Sequence, residues 1–231
     1  SAILGMIKEM RQGERDYTPT TLDFGAVKFR IARHFGFCKG VENAIEMAYE
    51  ALNLNVGKKV YMVSELIHNP YINEDLAGRG LQFIKTSTGK QLIPWENLHA
   101  DDVVVIPAFG ATVQDKALLQ AKGIDIKRWD AMCRFVEHVW FRSEELGKKG
   151  FSIIIHGKFK HEETQATFSY SSGFAPTIVV KDMKESHILG EIIAGTRPIS
   201  DFETYFRATA SEGFDPMLHL QKVAVVNQTT M

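Results

Sequence analysis

The chain has 231 residues, a formal net charge of -1, and 27 Lys+Arg against 28 Asp+Glu. This length can bury a sizeable core in one domain or two, and the even charge gives no sign of the basic surface that a nucleic-acid or anionic-membrane binder presents. Two cysteines are too few for a disulfide scaffold, no charged-then-apolar leader opens the chain, and no apolar run approaches the roughly 20 residues of a membrane span, so the expected location is a reducing cytoplasm.

Residues 1–25 read as an N-terminal arm, with a short helical pattern at Ile3, Met6, Ile7 and Met10 followed by a polar stretch broken by Gly13 and Pro19. Val27, Phe29 and Ile31 alternate with Lys28 and Arg30, which predicts a half-buried strand. Gly36-Phe37-Cys38-Lys39-Gly40 then bends into a predicted helix whose apolar stripe is Val41, Ala44, Ile45, Ala48 and Leu52. Strands are predicted at 60–63, leading to Ile67-His68-Asn69-Pro70, and at 103–106, leading to Ala108-Phe109-Gly110. A short strand near 124–126 precedes Asp130-Ala131-Met132-Cys133, and a helix over 135–148 follows with Phe135, Val139, Ser143 and Leu146 inward. Further strands fall at 151–155, 177–180 and 223–226, and further helices at 184–194 and 201–210. The strand-loop-helix unit recurs, so the fold class is α/β with small, mainly parallel sheets: a first α/β domain over 26–133 and a second over 134–231. The last strand ends at Asn227-Gln228-Thr229-Thr230-Met231 without the helix that followed the others, and the natural chain is expected to continue.

The chemistry-bearing residues sit on post-strand loops, where α/β proteins keep ligands. Cys38 and Cys133 each precede a helix, a position that favours thiolate chemistry or metal ligation but that also suits a small buried residue. His156-Gly157-Lys158 and His161-Glu162-Glu163-Thr164 form the densest titratable cluster. It reads as a proton donor beside an anion binder, as a metal site, or as a solvated loop whose carboxylates cap a helix. A zincin HExxH is excluded because position 165 is Gln. His68 alone reads equally as a structural residue, and Thr229 and Thr230 as a cap or a phosphate contact.

Taken together, Gly36-Phe37-Cys38 with Gly40-Val41, Ile67-His68-Asn69-Pro70, Pro107-Ala108-Phe109-Gly110, Asp130 with Cys133, the His156 to Thr164 run, Gly213-Phe214-Asp215-Pro216 and Asn227-Gln228-Thr229-Thr230 resemble the LytB family of 4-hydroxy-3-methylbut-2-enyl diphosphate reductases, in its plant and cyanobacterial variant. The resemblance covers residue 26 onward. It implies two of the three α/β domains of a trefoil, with a third domain expected beyond the chain end, and a 4Fe-4S cluster held by three cysteines of which Cys38 and Cys133 are two and the third would lie in that third domain. It further implies that His68 and His161 contact the diphosphate, that Glu163 delivers protons to the departing hydroxyl, and that Thr229 orients the substrate. The reaction so implied is reductive dehydroxylation to isopentenyl and dimethylallyl diphosphates in non-mevalonate isoprenoid synthesis, with a ferredoxin or flavodoxin as electron donor. The 231-residue chain by itself is expected to be incomplete and inactive. Three features depart from the family pattern: Met132-Cys133-Arg134 replaces Thr-Cys-Pro, Phe109 replaces a common histidine, and the third cysteine is missing. Met132 and Arg134 alone motivate a second expectation, a non-catalytic relative that kept the fold and lost the cluster.

Overall fold

The computed structural model describes residues 17–32 and 36–230; the short helix expected over 3–10 lies outside them. The chain divides into two compact units, Ser1–Lys39 and Gly40–Met231.

In the first unit, β1 (Thr20–Asp23) and β2 (Lys28–Ile31) form an antiparallel hairpin, with Thr20 opposite Ile31 and Asp23 opposite Lys28. The turn is closed by the Lys28 Nζ to Asp23 Oδ2 ion pair at 2.7 Å and by Gly25 N–H donating to Asp23 Oδ1. The expected strand therefore exists, but it pairs locally and joins no parallel sheet, and Phe29 lies exposed against Phe24 instead of facing a core. The hairpin also straddles the 25/26 limit expected between arm and first domain.

The second unit carries two three-stranded parallel sheets. In one, β3 (Val60–Met62) lies between β4 (Leu81–Phe83) and β5 (Val103–Val105). In the other, β6 (Ser152–His156) lies between β7 (Thr177–Val180) and β8 (Val223–Asn227). Both central strands bury nearly every side chain, as continuous apolar runs in a parallel sheet do when both faces are covered.

Helix α1 (Lys39–Leu54) covers one face of the first sheet with Ala44, Ala48 and Ala51, small residues that let the helix approach closely. Helix α2 (Pro70–Gly78) packs Leu76 into the same cluster. Asn69 is extended, as the following proline requires, and its side chain caps α2 by accepting from Ile72 N–H. The other face holds Leu119 of α3 (Val113–Ala121) with Ile124 and Ile126. Those two isoleucines are buried as their alternation suggests, but they lie in irregular chain; an isolated bridge joins Ile106 to Asp130 a few residues on.

The second sheet is covered by α4 (Arg134–Lys148) and α5 (Glu162–Ser171), and on its other side by α6 (Met183–Ile193) with α7 (Asp201–Tyr205). The helix expected over 201–210 gives way after Tyr205 to a 3₁₀ turn, Arg207–Thr209, before a short α8 (Pro216–His219). Phe202, Phe206 and Phe214 are fully buried here, with the Phe202 and Phe214 rings stacked at 5.2 Å. Helix α4 turns Ser143, Val139 and Leu146 toward the core as expected, but not Phe135. Val136, Trp140 and Ser143 face inward at i, i+4 and i+7, and Phe135, about 100° away from Val136 on the helix, points to solvent.

Trp140 packs against Ala166 and donates from its indole N–H to Thr167 Oγ1 at 3.0 Å. Trp140→Ala is expected to cost roughly 3–5 kcal/mol in equilibrium urea unfolding and Phe135→Ala less than about 0.5 kcal/mol. Equal losses for the two variants would contradict the placement of α4.

Candidate functional site

The carboxyl ends of β3, β5, β6 and β8 deliver their following loops to one place in the second unit. His68 follows β3, Phe109 follows β5, His161 follows β6 and Thr229 follows β8. The clearest meeting point is His68 Nε2 to His161 Nε2 at 2.7 Å, between loops of different sheets. Phe109 stacks on the His68 ring at 4.9 Å and meets His161 edge-on at 5.6 Å, so apolar surface backs both imidazoles.

His161 is the N-cap of α5, and its Nδ1 accepts from Glu163 N–H at 3.2 Å. That hydrogen bond assigns the tautomer: the neutral ring carries its proton on Nε2, donates it to His68 Nε2, and leaves the His68 proton on Nδ1. Burial, then repulsion from His68, holds the His161 imidazole below its ordinary range, with Glu163 opposing and Lys158 adding to the effect. The neutral pair therefore shares a single proton across the gap between the two loops.

Glu163 is 1% exposed. Its Oε1 accepts from Thr229 N–H at 2.5 Å and from Thr229 Oγ–H at 2.7 Å, and its Oε2 accepts from Thr230 Oγ–H at 2.7 Å. The post-β8 loop is itself held by Gln228. The Gln228 Oε1 accepts from Thr164 Oγ–H and from Lys158 N–H, and its Nε2 donates to Thr230 Oγ. Gly157 makes this possible, because a Cβ there would lie 2.7 Å from Thr164 Oγ1 and 3.0 Å from Gln228 Cβ. The cluster is thus no solvated loop with capping carboxylates; the cap is His161, and the carboxylates turn inward.

Sequence reasoning gave Glu162 no role of its own. It is 8% exposed, and neither of its oxygens has a hydrogen-bond partner. Burial pushes its carboxyl up to about 8 from an ordinary 4.5; the neighbouring Ser64 hydroxyl opposes the shift, while Glu65 and Glu163 reinforce it. The sequence carries no signal for this, since two adjacent glutamates at a helix start ordinarily place at least one in water.

Cys133 is the N-cap residue of α4, a half-buried free thiol whose side chain caps no backbone N–H. Its sulfur lies over Gly40 so closely that a Cβ at that position would overlap Sγ. Asp130 steadies the turn before it, accepting from Met132 N–H and pairing with Lys116 at 3.0 Å. Cys38, in the first unit, is an exposed free thiol immediately before α1. Among the described residues no group of three His, Cys, Asp or Glu is gathered to hold a metal ion, and no helix is long and apolar enough to cross a membrane.

The sequence matches the family described as LytB protein over residues 29–231, and the chain belongs to that family. It is 39% identical over 231 residues to the 4-hydroxy-3-methylbut-2-enyl diphosphate reductase of Synechococcus sp. strain WH7803, covering 100% of this chain and 54% of that protein. It is 40% identical over 207 residues to the reductase of the same name from Prochlorococcus marinus strain MIT 9515, covering 90% of this chain and 50% of that protein. The chain thus spans about half the length of the curated relatives it matches. Two solved structures share the fold. One is of (E)-4-hydroxy-3-methyl-but-2-enyl diphosphate reductase, with a TM-score of 0.57 and 24% identity, covering 83% of this chain and 64% of that one. The other is the Plasmodium falciparum E-1-hydroxy-2-methyl-but-2-enyl-4-diphosphate reductase, with a TM-score of 0.61 and 22% identity, covering 85% and 49%.

The carboxyl of Glu162 gives the fold a pH dependence. The folded state holds the proton more tightly than the unfolded chain, so this contribution is fully present below about 4.5 and is lost as pH rises through about 8. Urea midpoints measured between about pH 5 and pH 9 should fall across that window in the wild type, and Glu162→Gln should remove most of the fall. A variant with the same slope as the wild type would contradict the burial of an uncompensated carboxyl.

Proposed function

We propose that this chain forms part of a reductase acting on 4-hydroxy-3-methylbut-2-enyl diphosphate, removing its hydroxyl to give isopentenyl and dimethylallyl diphosphates. The observation that carries the reading is the junction of Glu163, Thr229 and the His68–His161 pair, which sets a buried carboxyl, hydrogen-bonded to the Thr229 hydroxyl, beside two imidazoles on converging loops. It is supported by family membership and by the names of the relatives.

In this reading His68 and His161 bind the diphosphate. Their mutual hydrogen bond gives way, the His161 Nε2–H turns to a phosphate oxygen, and the freed His68 Nε2 needs a proton before it can donate to another. Phe109 contributes no polar contact; it shields one side of the pair from water, and exposed Lys158 supplies the positive charge that a histidine would otherwise bring. The Thr229 hydroxyl orients the substrate and links it to Glu163. A protonated Glu163 gives its proton to Thr229 Oγ as that hydroxyl passes its own proton to the departing oxygen, so charge moves by two short transfers. Cys38 and Cys133 are proposed as thiolate ligands of a 4Fe-4S cluster, and they suit it in donor chemistry: both are free, and Cys133 leaves its sulfur uncommitted above a residue without a Cβ. When bound, such a cluster supplies electrons and a Lewis-acidic iron for the hydroxyl. Electrons are proposed to come from a ferredoxin or flavodoxin, in the cytoplasm.

In an anaerobically reconstituted protein of the relatives' full length, Glu163→Gln is expected to slow turnover by roughly 10²-fold or more while KM changes little, the scale of a lost general acid. Unchanged turnover would remove Glu163 from the proton-delivering role. Iron analysis and electron paramagnetic resonance of Cys133→Ser, expected to show loss of the cluster signal, check the ligand assignment separately.

A further inference from the structure

Glu162 is the group that the proposed reaction leaves unused. Beneath it lies a cavity of about 30 Å³, also lined by Ser64, Lys85, Thr86, Thr112, Asp115 and Gln165. That is room for a single water. The cation in this cavity is already committed, since Lys85 Nζ lies 2.6 Å from Asp115 Oδ1. Glu65 and Glu163 are both near enough to oppose a further negative charge. One titratable base is within reach: His68 Nε2, 3.8 Å from Glu162 Oε1. That nitrogen is engaged, accepting the Nε2–H of His161 at 2.7 Å.

We propose that Glu162 is a positioning residue that keeps a proton in reserve for His68. When a diphosphate anion draws the Nε2–H of His161 to itself, the lone pair of His68 Nε2 is released; the Glu162 Oε1–H bond breaks and a His68 Nε2–H bond forms. A carboxylate and an imidazolium replace two neutral groups, net charge is unchanged, and the new positive charge faces the anion that provoked the transfer. The carboxylate so formed is compensated by the imidazolium beside it, which removes the cost of ionising it alone. Exposed His68 thereby becomes a charged anion ligand supplied with its proton by the buried Glu162, and both groups stay neutral until an anion arrives. This rests on the diphosphate reading of the histidine pair.

The test is calorimetric titration of inorganic pyrophosphate into the chain at pH 7, in two buffers of different ionisation enthalpy, which counts protons taken from the buffer. The wild type is expected to take up almost none. Glu162→Gln, which keeps the shape of the neutral acid but cannot release a proton, should take up about one proton per pyrophosphate. A second arm needs no variant: at about pH 9, where the carboxyl is already ionised, wild-type uptake should rise to about one. Infrared spectra supply a readout of Glu162 without any ligand, as a carboxylic-acid carbonyl stretch present at pH 7 and absent from Glu162→Gln. Equal proton uptake by wild type and variant overturns the proposal. Tight pyrophosphate binding with no such carbonyl stretch overturns the proposal while leaving the diphosphate reading standing. A carbonyl stretch with no pyrophosphate binding overturns the diphosphate reading, and the transfer with it.

Discussion

Two imidazole nitrogens 2.7 Å apart can share one proton but cannot both be charged without strong repulsion. That constraint organises the site. His161 is fixed in its tautomer by capping α5, and His68 by accepting the His161 Nε2–H, while the stack on Phe109 orients the His68 ring; the pair is preset to a single proton between the facing nitrogens. Because the histidines hang from β3 and β6, the contact also ties the ends of two separate parallel sheets together. Each sheet is short and would offer a shallow edge alone; joined at their carboxyl ends, they place four loops around a common centre.

Glu162 and Glu163 show how strongly environment divides identical side chains. Both lie in the first turn of α5, and both are buried. Glu163 accepts three hydrogen bonds from the post-β8 loop and is thereby held as an acceptor with a defined direction of donation, from Gln228 through Thr230. Glu162 has no partner in hydrogen-bond geometry, only the Ser64 hydroxyl nearby, and faces a cavity next to other carboxylates. Proteins that bring acid and base roles close together commonly do so by separating the environments of two like groups. Here the separation is made over one residue of helix, because the first turn of α5 is covered from both sheets.

Much of the architecture was legible because parallel strands buried on both faces read as apolar runs: 60–63, 103–106, 151–155, 177–180 and 223–226 all correspond to strands of the two sheets. β4 escaped notice because it is a three-residue edge strand with an exposed Gln82 at its centre. Ile124 and Ile126 alternate like a strand yet pair with nothing, since burial beneath α3 produces the same pattern without a ladder. Val27 to Ile31 alternates correctly, but alternation cannot distinguish a strand of the main sheet from a local hairpin. At the site, residue types and loop positions were readable, and so was the likeness to a family. What was not readable is which loops meet. The pairing of His68 with His161 spans 93 residues and that of Glu163 with Thr229 spans 66, and only packing of the two sheets sets them. The burial of Glu162 was invisible for the same reason.

The central claim is that these loops form one anion-responsive site, and nuclear magnetic resonance of the imidazole nitrogens and backbone amides during addition of inorganic pyrophosphate tests it most directly. The account predicts that His68, His161 and the Thr229 amide shift together along a single saturation curve, with His161 starting as the Nε2–H tautomer. Independent saturation of the two histidines, or shifts confined to exposed lysines, would contradict it.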